Sequence, residues 1–238
     1  MIGRLLSLLL FLPLHAAAEP RAEFWIDLYF AEPVEKEADL WEDLASVDVV
    51  FVGETHRLAR HHRVQKVVAE KLLATGRPFL LGIEQVEARY QPELDRYQEG
   101  EISFEEFAKA IDWKKQWDNY EDYRALMETV REANGRIFGL NAPREVIREI
   151  GKVGLADLKS ELRDLLPEKI HTTDATYERF MNQLLSVHST FDPKFLKNIF
   201  EAQVARDDSM AAHLVDALGS VSAEDQRRPI AMTVTGSG

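Results

Sequence analysis

A strand–helix–strand pattern in the first third of the chain is the sequence feature that most constrains the fold. Residues 47–52 form a β-branched run, which predicts a strand buried on both faces. Residues 61–75 place valine and leucine at helical spacing, and residues 78–83 form a second apolar run. Since a short helical crossover joins parallel strands, we expect these two strands to be parallel neighbours in one sheet.

The rest of the chain adds two more strands and much helix. Further strands are predicted at residues 136–140 and 230–235, helices throughout residues 90–133 and 155–218, a capping box at Ser103, and a lead-in at residues 19–46 with one short helix at 38–45. The fold class predicted for residues 19–238 is therefore a single α/β domain. It has a mostly parallel central sheet, flanking helices and an inserted helical layer. The chain stops directly after a strand, so we expect the domain to be truncated at its C-terminus.

The first 18 residues are typical of a cleavable signal peptide. Arg4 precedes an apolar run of about ten residues, and Ala16-Ala17-Ala18 supply a small-residue cleavage site. The run is shorter than the roughly 20 residues that cross a bilayer, so no transmembrane segment is expected after cleavage. The chain has no cysteine, which excludes a lipid-modified cysteine, disulfides and thiolate metal sites. These features predict a periplasmic protein that is not lipid-anchored, and the net charge of −12 argues against a nucleic-acid partner.

Polar or glycine-rich segments follow the predicted strands. Glu54 and His56 follow the first strand, Glu84 follows the second, and Arg144 lies just beyond the third. The carboxyl ends of parallel strands meet at one edge, so these side chains are expected to share a cleft. One imidazole and two carboxylates can hold a divalent cation or perform general acid–base catalysis. The alternative is a scaffold in which Glu54 caps the next helix, His56 is solvated and Arg144 only pairs with a carboxylate.

Several short motifs follow one another along nearly the whole mature chain. They are Val-Gly-Glu-Thr-His at 52–56 with His61, His62 and Gln65; Ile83-Glu84; Trp117, Tyr120 and Tyr123; Gly-Leu-Asn-Ala-Pro-Arg at 139–144; Ala202-Gln203, Arg206-Asp207 and Met210-Ala211; and Thr-Gly-Ser-Gly at 235–238. In this order they resemble the ChaN-like haem-binding family. That family belongs to a superfamily with the TIKI/TraB proteins, some of which are metal-dependent proteases, and with erythromycin-esterase-like hydrolases.

The resemblance implies a haem-binding protein of the bacterial cell envelope that takes part in haem and iron uptake. It leaves open whether two copies form a homodimer around haem. The cofactor-binding candidates are His56, Tyr120 and Tyr123, with Arg144 as the partner of a haem propionate. Aromatic residues at the spacing of the two tyrosines are also typical of a protein core.

The wider superfamily implies an alternative function, a metal-dependent peptidase or esterase. Glu54, His56 and Glu84 would then hold a divalent metal ion and act as the catalytic residues. A G-x-x-H element recurs near both ends of the domain in that superfamily. The first copy is Gly53 to His56, and the second would need a histidine after Gly238.

Overall fold

The computed structural model describes residues 25–186, 192–224 and 227–236. The predicted signal peptide at residues 1–18 and the last two residues of the closing motif lie outside these ranges. The chain divides into two compact units, one up to Leu40 and one from Trp41 onward. In the first unit, β1 (Ile26–Asp27) pairs antiparallel with β2 (Glu32–Pro33).

The second unit is built on a four-stranded parallel sheet. Its strands are β3 (Val49–Glu54), β4 (Phe79–Glu87), β5 (Arg136–Asn141) and β6 (Ile230–Gly236), in the order β3-β6-β4-β5. The predicted α/β class with a parallel sheet is confirmed. The expectation that the first two strands are neighbours is wrong, because β6 from the end of the chain lies between them.

Strand β3 lies at the edge of the sheet and is covered on one face. Val50 and Glu54 are buried, whereas the side chain of Phe51 is 72% exposed. The prediction of a strand buried on both faces is therefore wrong for β3. The β-branched run has the composition of a buried strand, but the alternation of exposure along it is that of a half-buried edge strand. By contrast, all nine positions of β4 are buried.

Helices connect and cover these strands. They are α1 (Glu37–Ser46), α2 (Ala59–Leu73), α3 (Gln91–Gln98), α4 (Phe104–Ala110), α5 (Trp113–Gln116), α6 (Arg124–Glu132), α7 (Arg144–Val153), α8 (Ser160–Arg163), α9 (Ala175–Ser186) and α10 (Pro193–Glu224), with 3-10 turns at Ala88–Tyr90 and Tyr120–Tyr123. The predicted capping box is present, because Ser103 and Glu106 each accept a hydrogen bond from the other's backbone N–H. Among the described residues, no helix has the length and apolar character needed to span a bilayer.

The helical layer inserted between β4 and β5 is fixed to the sheet by an aromatic cluster. Tyr97, Phe107, Trp113 and Tyr123 are fully buried and contact one another in this layer. The indole Nε1 of Trp113 donates to the backbone oxygen of Gln85 on β4 at 2.7 Å. This anchoring places the 3-10 turn before α6 beside the carboxyl end of β3.

Candidate functional site

A buried carboxylate, Glu54, is the centre of a hydrogen-bond network at the carboxyl end of β3. Gln65 of α2 donates its Nε2 to Glu54 Oε2 at 2.7 Å. Gln85 of β4 donates to Oε1 at 3.0 Å, and the hydroxyl of Tyr123 donates to the same oxygen. His56 Nδ1 lies 2.6 Å from Oε1. We call these five residues the Glu54 network.

The Glu54 network orients the imidazole of His56. A carboxylate oxygen only accepts hydrogen bonds, so Nδ1 of His56 carries the proton of this contact, and in the neutral form of an imidazole the lone pair is then on Nε2. The ring contacts Trp117 edge-on at a centroid distance of 4.8 Å. The backbone oxygen of His56 accepts a hydrogen bond from Asn119 and lies 2.9 Å from His62 Nε2. Both the ring and the backbone of His56 are therefore held in place.

Tyr123 supports the network as a neutral phenol. Its side chain is fully buried, and both burial and the hydrogen bond to Glu54 raise its pKa far above the ordinary value of 10.0. A phenolate at this position would place a second negative charge beside Glu54. Tyr123 thus acts as a hydrogen-bond donor to the carboxylate.

Glu84 and Gly236 complete this edge of the sheet across β6. Gly236 lies opposite Glu54 in the β3–β6 register, and its backbone N–H donates to Glu84 Oε2 at 2.6 Å. A Cβ atom at Gly236 would lie 2.7 Å from His56 Cε1 and 2.8 Å from Nε2. Real contacts of this type are longer, so the His56 ring can occupy its position only because residue 236 has no side chain.

A cavity of about 590 Å³ opens beside these residues, between the sheet and α10. We call it the main cavity. His56, Glu84 and Thr235 of the carboxyl edge of the sheet are among its polar lining residues. Most of the remaining wall is apolar, from Phe51, Leu140, Met210, Ala211, Leu214 and Val215. Its size and its mixture of an apolar wall with a few polar groups are typical of a small-molecule site.

Three polar residues of α10, Gln203, Arg206 and Asp207, also line the main cavity. Asp207 accepts from the Tyr177 hydroxyl at 2.8 Å and from Gln203 Nε2 at 2.9 Å. Burial raises the pKa of the Asp207 carboxyl, and these two hydrogen bonds oppose the increase. Arg206 Nε is buried and has no hydrogen-bond partner in the described part of the chain. The cavity wall therefore contains a guanidinium whose hydrogen-bonding capacity is not used.

The structure brings together some of the predicted site residues and separates others. His56 and Glu84 line the main cavity, and Glu54 and Tyr123 lie behind His56. Tyr120 does not line the cavity, because its ring stacks on Phe104 and its hydroxyl donates to a neighbouring glutamate. The alternative role of Glu54 as a helix cap is not observed, since α2 is preceded by Leu58 and has no side-chain cap.

Arg144 lies outside the main cavity. Its backbone N–H donates to Glu87 at 3.1 Å, and its side chain lines smaller pockets on the α7 side of the sheet. Of the motif at residues 139–144, Leu140 lines the main cavity, whereas Arg144 does not.

The described residues contain no group of three or more histidine, aspartate or glutamate side chains arranged to hold a metal ion. Both oxygens of Glu54 already accept hydrogen bonds, and Glu84 Oε2 accepts from the backbone N–H of Gly236. The arrangement therefore does not support the predicted metal site at Glu54, His56 and Glu84.

Sequence reasoning missed Gln85 and did not recognise Arg206 and Met210 as cavity residues. The alternation of side chains along β4 could have identified Gln85. Its neighbour Glu84 lines the cavity, so Gln85 faces the other side of the strand, where it donates to Glu54. Helical spacing could have grouped the cavity residues of α10, because Gln203, Arg206 and Met210 lie on one face of this helix.

Comparison with known proteins assigns the chain to a family. A family profile described as haem-binding uptake, Tiki superfamily, ChaN, matches residues 40–238. Among solved structures, the chain is similar to ChaN of Campylobacter jejuni, which is described as binding haem cofacially. The two share 18% sequence identity and a TM-score of 0.63 over 88% of this chain and 78% of the other. At this identity the similarity shows the fold. No sequence among the curated proteins matches.

Proposed function

Since the chain belongs to the haem-binding uptake family of the Tiki superfamily, which is named for ChaN, we propose that it binds haem in the main cavity and serves haem and iron uptake at the bacterial cell envelope. The observation that carries the site assignment is the His56–Glu54 pair. Its Nδ1–Oε1 distance of 2.6 Å leaves the Nε2 lone pair as the free ligand position of a ring that lines the cavity. A carboxylate behind a ligating histidine both orients the ring and raises its basicity.

The remaining wall of the main cavity fits the other parts of a haem. When bound, haem supplies an iron centre that takes axial nitrogen, oxygen or sulfur ligands. The apolar side chains Leu140, Leu214 and Val215 would contact the macrocycle, and Arg206 would pair with a propionate through its unused donors. Met210 also lines the cavity and is a second side chain of a type that ligates haem iron.

Hemin titration of the purified protein tests this proposal. We expect a saturable Soret shift at micromolar hemin that is lost or strongly altered in His56→Ala. Met210→Leu tests the second candidate ligand, and Tyr120→Phe is the matched control, since this hydroxyl points away from the cavity. A wild-type spectrum and affinity in His56→Ala would contradict the ligand assignment, and no Soret shift in the wild type would contradict haem binding.

Two copies of the chain are proposed to face each other across the mouths of their cavities. Phe51 and Val215 line the main cavity and are 72% and 66% exposed, so two large apolar side chains at the cavity are open to solvent. Light scattering with and without hemin tests this, with a haem-dependent dimer expected. Phe51→Asp should abolish the dimer, whereas Phe180→Asp, on the exposed surface of α9, should not. A hemin-loaded monomer would contradict the proposal.

Export to the periplasm is proposed from the signal-like segment at residues 1–18. Mass analysis of the protein recovered from a periplasmic extract should give a mature chain that begins at Glu19. Retention of the full-length chain in the cytoplasmic fraction would contradict it. The uptake role predicts that a strain lacking the gene grows poorly on hemin as its iron source and normally on free iron.

A further inference from the structure

A second, smaller groove lies between α7 and α10 and shares Gln203 and Arg206 with the lining of the main cavity. It has a volume of about 420 Å³, and we call it the α7–α10 groove. Ile147 of α7 and Ala202 of α10 form its floor and belong to the buried core between the two helices. A Cβ atom at Gly151 would lie 3.7 Å from Ile199 of α10, an ordinary van der Waals distance, so the two helices are close together at this position. The floor of the groove is therefore buried and apolar.

Three guanidinium groups line this apolar floor. Arg144 and Arg148 are one helical turn apart on α7, and Arg206 faces them from α10. No acidic side chain is among the described residues that line the groove. The two nearest glutamates of α7 are engaged elsewhere, Glu145 with Arg89 and Glu149 with Lys152.

None of the three arginine side chains has an ion pair or hydrogen bond within the described ranges. This is unexpected in a chain of net charge −12, in which carboxylates outnumber cations. The buried Nε of Arg206 is an unpaired donor, and leaving such a group without an acceptor costs on the order of 1–3 kcal/mol. A bound anion would remove this cost.

We propose that the α7–α10 groove binds a small organic anion with an apolar body and a carboxylate or phosphate head. The planar donor forks of arginine match both head groups, and the isoleucine and alanine floor matches an alkyl or similar body. The groove volume lies within the range of small-molecule sites. Arg206 lines both the groove and the main cavity, whereas Arg144 and Arg148 line only the groove, so these two arginines distinguish this site from the haem site.

Calorimetric titration with dodecyl phosphate, below its micellar concentration, tests the groove. Laurate provides the carboxylate head, inorganic phosphate the head alone, and dodecyl maltoside the chain with a neutral head. Because both parts of the ligand contact the protein, we expect dodecyl phosphate or laurate to bind at least about tenfold more tightly than either partial probe. Equal affinity for inorganic phosphate, or for the neutral amphiphile, would overturn the proposal.

The double variant Arg144→Ala, Arg148→Ala tests whether the ligand binds in the groove and not in the main cavity. It should weaken dodecyl phosphate binding by about tenfold or more and leave hemin binding at the wild-type level. Arg148→Lys, which keeps the charge and loses the fork, should be intermediate. Arg63→Ala removes one positive charge from the exposed face of α2, outside the groove, and should have no effect. Unchanged dodecyl phosphate affinity in a folded double variant would show that the groove is not the site.

Discussion

Replacing Glu54 with glutamine tests whether the buried carboxylate holds His56 in its ligand position. The substitution keeps the volume of the side chain but turns one acceptor oxygen into an NH2 group. Oε1 accepts from His56, Gln85 and Tyr123. Oε2 accepts from Gln65. The new amide nitrogen therefore faces at least one donor in either orientation.

The least disruptive orientation of the amide places its nitrogen opposite Gln65. One buried hydrogen bond is then lost, and the three at Oε1 are no longer made to a charge. Hydrogen bonds to charged groups contribute about 1.5–3 kcal/mol and neutral ones about 1 kcal/mol, so the lost bond and the three weakened ones should together lower the free energy of unfolding by at least about 3 kcal/mol. For a chain of this size, that corresponds to a decrease in Tm of at least roughly 6 °C.

The functional effect of Glu54→Gln is measured by hemin titration at a temperature where the variant is folded. Loss of a partner behind a ligating histidine typically weakens metal affinity about 10–100-fold, and we expect a hemin Kd raised by this factor. Glu70→Gln is the matched control, since this carboxylate is on the surface of α2 and only pairs with Lys66. A lowered Tm together with a wild-type hemin Kd and spectrum would refute the reasoning, because Glu54 would then be purely structural.

Three further predictions concern the main cavity and the Glu54 network behind it. Gly236→Ala should displace the His56 ring by several tenths of an ångström, because the new Cβ would lie 2.7 Å from Cε1. We expect absorbance titration to show a hemin Kd raised about tenfold. An unchanged Kd would contradict the close packing of His56 against Gly236. The raised pKa of Tyr123 means that its stabilising contribution is complete below pH 10 and is lost as the pH rises through the raised value. The free energy of unfolding, measured with denaturant, should therefore decline above pH 10 less steeply in Tyr123→Phe than in the wild type, by up to about 1.4 kcal/mol per pH unit. Parallel curves for the two proteins would refute this. Arg206→Ala should weaken the binding of hemin about tenfold but not that of its dimethyl ester, and an equal loss for both would exclude propionate pairing.

The strands and the order of the motifs were predictable because they depend on local composition and spacing. The β-branched run of β3, the capping box at Ser103 and the parallel direction of the strands all follow from short-range rules. The convergence of Glu54, His56 and Glu84 at one edge also follows, because carboxyl ends of parallel strands share a side of the sheet.

The lateral order of the strands was not predictable from local pattern. Insertion of β6 between β3 and β4 joins residues that are far apart in the sequence, as in the hydrogen bond from Gly236 to Glu84, where the separation is 152. It also leaves β3 at an edge, with Phe51 exposed on the cavity rim. These outcomes depend on how the whole chain packs.

The roles of the individual site residues also depend partly on local sequence and partly on tertiary packing. By itself, the sequence determined which residue types reach the carboxyl edge of a parallel α/β sheet, because strand direction and side-chain alternation are local properties of the chain. Only the tertiary structure decided that Tyr123 donates to Glu54 inside the core, that Tyr120 points away, and that Arg206 rather than Arg144 lines the main cavity. Those assignments depend on the packing of the inserted helical layer and of α10 against the sheet, and packing between distant segments leaves no periodic signal in the sequence.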